Sequence, residues 1–85
     1  MVRKEEMDEL ITLVVCVIYS FCDFSTGCHI PIEAIRKQIK DPEIPFKKVL
    51  RKAEARGLIY RKGGTKSYGL TKSGLDLVRE ACVSE

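Results

Sequence analysis

Long apolar segments, histidines and closely spaced cysteine pairs are scarce or missing in this sequence of 85 residues. The most apolar stretch, residues 10–24, is interrupted by Thr12, Ser20 and Asp23. It is also shorter than the roughly 20 residues that a membrane-spanning helix needs. Residues 1–9 are mostly charged, and no small-residue cleavage site follows the apolar run, so no signal peptide is evident. We therefore expect a cytoplasmic protein with no membrane partner.

The chain has four cysteines and one histidine, and their spacing argues against a metal site. Zinc ligands usually come in cysteine pairs separated by about two to four residues, and no pair here is that close. His29 adjoins Cys28, but no third group that would orient such a pair and no glycine-rich phosphate loop is recognisable. We expect no catalytic residue, no metal, no cofactor and no small-molecule substrate, and so no enzyme.

The redox state of the cysteines is left open by the sequence. Cys22 and Cys28 bracket a short loop, so they either form a disulfide or remain as two free thiols. Disulfides are unusual in the cytosol outside hyperthermophiles. Cys16 and Cys82 fall among apolar residues, and they are predicted to be small buried side chains whose thiols react slowly.

Positive charge is concentrated in the middle of the chain, although the net charge is only +3. Residues 1–35 carry two basic and six acidic side chains, a net −4, and residues 73–85 carry one and three, a net −2. Residues 36–72 carry twelve basic and three acidic side chains, a net +9. Such a segment attracts a polyanion, so the charge distribution favours contact with nucleic acid over a merely solvated surface.

The hydrophobic pattern predicts one domain over residues 1–85, with four helices and one hairpin. Pro31 suits the first position of a helix, Gly57 a left-handed helix end, and Thr71 a helix N-cap. The predicted elements are helix 1 at about 3–22, helix 2 at about 31–40, helix 3 at about 45–56, a hairpin at about 58–70 and helix 4 at about 72–83.

The hairpin is predicted from the Gly63-Gly64 pair, which is typical of a two-residue turn. A two-residue turn places Ile59 opposite Tyr68 and Arg61 opposite Lys66.

Three short motifs follow one another in a fixed order. They are Leu50-x-x-Ala53-Glu54-x-x-Gly57-Leu58-Ile59, then Gly63-Gly64, then Tyr68-x-Leu70-Thr71-x-x-Gly74. The order is a helix, a glycine stop, a two-stranded wing and a capped helix. From about residue 30 to residue 81 the chain therefore resembles the small winged helix-turn-helix transcription regulators of prokaryotes, those of archaea especially. The resemblance implies an α+β fold with three to four helices and a two-stranded β wing.

The resemblance also implies that the protein binds double-stranded DNA, with helix 3 in the major groove and the wing on the backbone or in the minor groove. Lys48 and Arg51 lie at the centre of the exposed face of helix 3, and Ala55 is small enough to touch a thymine methyl group. The other expected DNA contacts are Lys47, Lys52, Arg56, Arg61, Lys62 and Lys66. The alternative is a winged-helix module that binds or assembles proteins without reading DNA.

Helix 1 carries more apolar residues than one buried face requires. Its expected core face consists of Leu10, Leu13, Val14, Val17, Ile18 and Phe21. Ile11, Val15 and Tyr19 fall off this stripe, so we expect them to be exposed and to be buried in a homodimer. Two alternatives are that the N-terminal residues 1–7 cover this second face, or that the β-branched segment is partly a strand.

Overall fold

The computed structural model describes residues 4–25, 27–40 and 43–82. Within these ranges the chain forms four helices and a three-stranded antiparallel sheet, an α+β arrangement. The elements, in chain order, are α1 (Lys4–Cys22), β1 (His29–Pro31), α2 (Ile32–Gln38), α3 (Phe46–Ala55), β2 (Ile59–Arg61), β3 (Ser67–Leu70) and α4 (Lys72–Ala81). None of these helices is long and apolar enough to cross a bilayer.

The predicted helices and hairpin are confirmed to within a few residues at each end. The expected first and last residues of helices 1 and 4, at positions 3 and 83, lie outside the described residues. Helix α2 is shorter than expected because Pro31 belongs to a strand and Ile39 already has extended backbone angles.

Strand β1 is absent from the sequence-based prediction. It pairs with β3, which places β3 at the centre of the sheet in the order β1-β3-β2. Pro31 lacks an N–H group, but the next residue, Ile32, donates its N–H to the carbonyl of Lys66 at 2.8 Å. A strand of three residues that includes a proline has no periodic pattern from which it could be predicted.

The predicted register of the hairpin is wrong by two residues. Ile59 lies opposite Leu70, and Arg61 lies opposite Tyr68. The connection is longer than two residues, because the N–H of Lys62 donates to the carbonyl of Ser67 at 2.9 Å. A slip of two residues keeps each side chain on its predicted face of the sheet, so the pattern of burial along the strands is unaffected.

The buried face of α1 differs from the predicted one. Ile11 and Val15 are 1 % and 0 % exposed, and Tyr19 is half-buried. The prediction of an exposed dimer interface is therefore wrong for Ile11 and Val15, which belong to the core, and for the half-buried Tyr19 it stays a prediction. Leu13 and Phe21, assigned to the core from the sequence, are 42 % and 46 % exposed instead. The helix carries two overlapping apolar stripes, and periodicity alone does not decide which of them faces α3 and α4.

Two disulfides fasten α1 to the rest of the fold. Cys22 and Cys28 are joined across the loop that precedes β1, with their Cα atoms 5.5 Å apart. Cys16 is joined to Cys82 at the end of α4, with a Cα–Cα distance of 5.6 Å. The prediction of free, slowly reacting thiols at Cys16 and Cys82 is wrong, because α4 runs back along α1 and brings the two residues together.

Gly74 lies where α4 passes against the backbone that leads into β2. The N–H of Gly74 donates to the Thr71 hydroxyl at 3.1 Å, which confirms Thr71 as the N-cap of α4. A Cβ atom on Gly74 would lie 2.1 Å from the carbonyl oxygen of Leu58. The first turn of α4 can therefore lie this close only with glycine at that position.

We expect Gly74→Ala to lower the free energy of unfolding by about 1–3 kcal/mol, because the added methyl group forces backbone to move. Alanine has the higher helix propensity, so propensity alone predicts the opposite sign. Urea unfolding of this variant, with Ser73→Ala at the exposed neighbouring position as the control, measures the effect. A Gly74→Ala protein as stable as the wild type would contradict the close contact.

Candidate nucleic-acid interface

Helix α3 has one buried side and one basic side. Val49, Leu50 and Ala53 are at most 2 % exposed and hold the helix against the core. The helical repeat of 3.6 residues then turns the other side chains outwards. The exposed residues of this helix that were predicted to contact DNA are Lys47, Lys48, Arg51, Lys52 and Ala55.

The first turn of α3 contains no acidic side chain and has a guanidinium beside it. The N-cap of the helix is Pro45, which offers no side-chain hydrogen bond. The guanidinium of Arg36, from α2, lies 5.5 Å from the ring centroid of Phe46. This stacking contact holds a cation beside the first turn of α3.

Arg56, immediately after α3, is engaged within the protein. Its guanidinium forms an ion pair with the carboxylate of Asp8 on α1, and the two side chains are 40 % and 49 % exposed. Gly57 then leaves the helix with φ of 72°. The ion pair fixes the end of α3 against α1, so Arg56 has a structural partner that the sequence did not indicate. An exposed pair of this kind contributes only about 0–1 kcal/mol.

The tip of the β2–β3 hairpin is held by its own hydrogen bonds. The Nε–H of Arg61 donates to the carbonyl of Thr65 at 3.1 Å, and the Thr65 hydroxyl donates to the carbonyl of Lys62 at 3.0 Å. Gly64 supplies the positive φ of 76° that the turn requires. Lys62 and Lys66 are exposed on either side of this ordered turn.

A cleft of about 410 Å³ lies between α2, α3 and the hairpin. Five cations from these three elements line it, and Glu33 and Glu54 supply two carboxylates. Ile32, Leu50 and Tyr68 add apolar surface to its wall. The five cations are Arg36, Lys47, Arg51, Arg61 and Lys66. We call these five residues, together with Lys48, Lys52 and Lys62, the basic surface.

The structure brings four of the nine residues predicted to contact DNA together in one cleft. Lys47, Arg51, Arg61 and Lys66 share the cleft, whereas Lys48, Lys52 and Ala55 lie farther round α3. Arg36 was missed as a site residue because it belongs to α2, and only tertiary packing carries it to α3. Its exposed position on an amphipathic helix was the one signal available in the sequence.

The basic surface carries eight cationic side chains, and the carboxylates of Glu33 and Glu54 lie among them in the cleft. In the described part of the chain no three histidine, cysteine or acidic side chains come close enough to hold a metal ion. No protein family, curated protein or solved structure matches this chain. The shape and charge of the surface are therefore the grounds on which a function is proposed.

Proposed function

We propose that the protein is a winged helix-turn-helix regulator of transcription that binds double-stranded DNA in a sequence-specific way. The observation that carries the proposal is the basic surface, which joins an exposed helix to an ordered hairpin tip. The order of elements α1-β1-α2-α3-β2-β3-α4 suits this fold, with the hairpin in the role of the wing. Phosphate contacts dominate the affinity of such proteins, and a basic surface supplies them.

Helix α3 is the reading element in this proposal. An α-helix with side chains is about 10–12 Å wide and fits the major groove of B-DNA. Arg51 lies at the middle of the exposed side of α3, where its guanidinium can donate two hydrogen bonds to guanine O6 and N7. Lys48 and Ala55 lie on the same side, and Ala55 leaves room for a thymine methyl group.

The hairpin tip and the flanks of α3 position the protein on the duplex. Lys62 and Lys66 are exposed at the tip, and Lys47 and Lys52 flank the reading side of α3. Ammonium groups at these places contact phosphates, which fix the orientation of the protein without reading sequence. Since Arg61 is hydrogen-bonded to the backbone of Thr65, its first role is to hold the tip in shape.

We propose further that the DNA-bound form is a homodimer. The described part of one copy measures 35 × 34 × 22 Å and contains one α3. Two copies related by a two-fold axis would place two α3 helices in successive major grooves, about 34–36 Å apart. A symmetric site of two half-sites is the expected operator.

Alanine substitutions at Arg51 and Lys66 test the proposal. Arg51→Ala is expected to weaken binding to the specific site by about 1–3 kcal/mol and to relax specificity at one base pair. Lys66→Ala is expected to weaken binding to all duplexes similarly and to lower the salt slope by about one unit. Fluorescence anisotropy titrations against specific and random duplexes measure both effects.

Lys72→Ala is the control for these titrations, because it removes one exposed lysine outside the basic surface. It should change neither the specificity nor the salt slope appreciably. Unchanged binding by both Arg51→Ala and Lys66→Ala would contradict the proposed mode of DNA reading.

A protein-binding module is the second candidate function. The large apolar side chains exposed on α1 favour it, because patches of this kind commonly mark contacts with proteins. The dependence of binding on salt separates the two candidates. DNA binding through several phosphates weakens steeply as salt rises, whereas an apolar protein contact does not.

A further inference from the structure

The cleft between α2, α3 and the hairpin places seven charged side chains around one volume of about 410 Å³. Five of them are the cations of the cleft, and the other two are the carboxylates of Glu33 and Glu54, so their net charge is +3. Within the described residues none of these seven side chains forms an ion pair. The charges of the cleft are therefore available to a ligand that carries both negative groups and hydrogen-bond donors.

Each of the three elements lines the cleft with one side. On α3 the lining residues have the spacing i, i+3, i+4 and i+7 between positions 47 and 54, which is one side of a helix. On α2 Ile32 and Arg36 are one turn apart. Arg61 and Tyr68 are directly opposite each other on β2 and β3, so their side chains lie on the same face of the sheet. No sequence motif indicates the cleft, because its lining comes from three separate segments.

The walls of the cleft are fixed by contacts within the fold. The N–H of Ile32 donates to the carbonyl of Lys66 at 2.8 Å, which ties the start of α2 to the hairpin. Arg61 is held by its hydrogen bond to the backbone of Thr65. Leu50, which is 2 % exposed, supplies an apolar floor. A site that is formed before its ligand arrives loses little conformational entropy on binding.

We propose that this cleft binds a free ribonucleotide with a 5′-phosphate chain, one molecule per copy of the protein. Sites for small molecules commonly enclose about 300–1,000 Å³ and combine apolar surface with a few convergent polar groups. The guanidinium groups of Arg36 and Arg51 offer paired N–H donors to phosphate oxygens. The half-buried ring of Tyr68, together with Ile32, offers the apolar surface on which a base stacks.

Glu33 and Glu54 favour a ribonucleotide over a plain polyanion. Two carboxylates among the cations repel phosphate, so they lower the affinity of the cleft for pyrophosphate. A carboxylate accepts hydrogen bonds from ribose hydroxyls, as it does in dinucleotide sites. Because DNA lacks the 2′-hydroxyl, this contact favours the free ribonucleotide over a DNA strand.

The ribonucleotide is expected to compete with DNA. Four cations of the cleft are also proposed DNA contacts, namely Lys47, Arg51, Arg61 and Lys66. Occupation of the cleft withdraws them from the duplex, so nucleotide and DNA weaken each other's binding by the same factor. Only this competition rests on the proposed function, since the cleft and its ligand do not require DNA.

Isothermal titration calorimetry of the full chain tests the site, with ADP, 2′-deoxy-ADP, adenosine and pyrophosphate as the probes. We expect ADP to bind with a stoichiometry of one per chain. Adenosine and pyrophosphate are each expected to bind at least about tenfold more weakly, because each lacks part of the contacts. We expect 2′-deoxy-ADP to bind severalfold more weakly than ADP, because it lacks one hydroxyl donor.

Three results of these titrations would overturn the proposal. The absence of saturable ADP binding up to about 1 mM overturns the site. Pyrophosphate that binds as tightly as ADP overturns the ribonucleotide as its ligand. A single-stranded oligomer of riboadenylate that displaces ADP and binds more tightly overturns the free nucleotide as the occupant.

Matched substitutions on α2 separate binding in the cleft from attraction by net charge. Arg36 and Lys37 are adjacent and exposed, but of the two only Arg36 lines the cleft. Arg36→Ala is expected to weaken ADP binding at least about tenfold, because a charged hydrogen-bond donor is lost. Lys37→Ala removes the same charge outside the cleft, where salt screens it, and is expected to weaken binding less than about threefold. Equal effects of the two substitutions overturn the site.

Removal of the two carboxylates is expected to act with opposite signs on two ligands. Glu33→Ala combined with Glu54→Ala should lower the affinity for ADP severalfold, because the ribose loses its acceptors, and should raise the affinity for pyrophosphate. A rise in affinity for both ligands overturns the ribose contact. Both residues are exposed, and circular dichroism verifies that each variant retains the fold.

Fluorescence anisotropy of a labelled duplex, titrated with ADP at constant ionic strength, tests the competition. We expect ADP to release the duplex and adenosine to leave it bound. A protein that binds the duplex but not ADP overturns the site and leaves the proposed function standing, and a protein that binds ADP but no duplex does the reverse. Binding of both ligands without release overturns the competition.

Discussion

Val15→Asp is expected to unfold the protein, whereas Leu13→Asp is expected to leave the fold intact. The two residues are two positions apart on α1, but Val15 is 0 % exposed and Leu13 is 42 % exposed. No buried polar or charged residue accompanies Val15 in the described core, so an aspartate there would be without a partner. Burial of an unpaired charge costs several kcal/mol, against a total stability of about 5–15 kcal/mol for a typical domain.

Urea unfolding followed by circular dichroism compares the two variants directly. We expect no cooperative transition for Val15→Asp, and for Leu13→Asp a transition shifted by less than about 1 kcal/mol. The experiment is done at a concentration where the wild type is monomeric, so that association does not contribute. If Val15→Asp unfolded cooperatively with the stability of Leu13→Asp, the assignment of the buried face of α1 would be wrong.

Removal of the Cys16–Cys82 disulfide is expected to lower the free energy of unfolding by about 4 kcal/mol, and removal of Cys22–Cys28 by about 2 kcal/mol. The cysteines of the first pair are 66 residues apart in sequence, and those of the second pair are 6 apart. A longer closed loop restricts the unfolded chain more, which accounts for the difference. Double cysteine-to-serine variants of each pair, unfolded in urea without reductant, measure the two values.

Mass spectrometry without reductant verifies the bonds first. The two disulfides together remove four hydrogens from the mass of the reduced chain. Free thiols at Cys16 and Cys82 in air-exposed protein would contradict the first bond. Equal stability losses from the two double variants would contradict the loop-length argument without contradicting the bonds.

The α3 helix and the helix that follows the hairpin were predictable from local signals. In α3 the spacing of Val49, Leu50 and Ala53 defines the buried side, and the structure shows that side buried. Thr71 indicates the start of α4, and its hydroxyl accepts the expected hydrogen bond from the N–H of Gly74. These features depend on side chains within one or two helical turns, where sequence spacing and spatial position are closely linked.

The side of α1 that faces the core could not be predicted, because it depends on residues that are distant in sequence. The two apolar stripes of α1 have equivalent patterns. Which of them is buried depends on helices and strands that lie far away in sequence. Cys16 is bonded to Cys82, 66 residues farther along the chain, and α1 packs on α3 and α4 with Ile11 and Val15 buried. Strand β1 likewise exists because β3 offers an unpaired edge, which His29–Pro31 occupies.

The candidate site was predictable in composition but not in shape. The many lysines and arginines of residues 36–72 predict a positively charged surface. The cleft, however, requires Arg36 from α2 beside Phe46 of α3, and only the packing of the two helices produces that contact. The ion pair of Arg56 with Asp8 also joins two helices that are distant in sequence.

Selection of bound sequences from a random duplex pool tests the central claim most directly. The full chain and a variant with Arg51, Lys62 and Lys66 all replaced by alanine are taken through the same selection rounds. We expect the wild type to enrich a two-fold symmetric motif with half-sites about one turn of DNA apart, and its binding to weaken steeply with salt. The variant should enrich nothing. The absence of any enriched motif for the wild type, or the same motif for the variant, would contradict DNA reading by the basic surface.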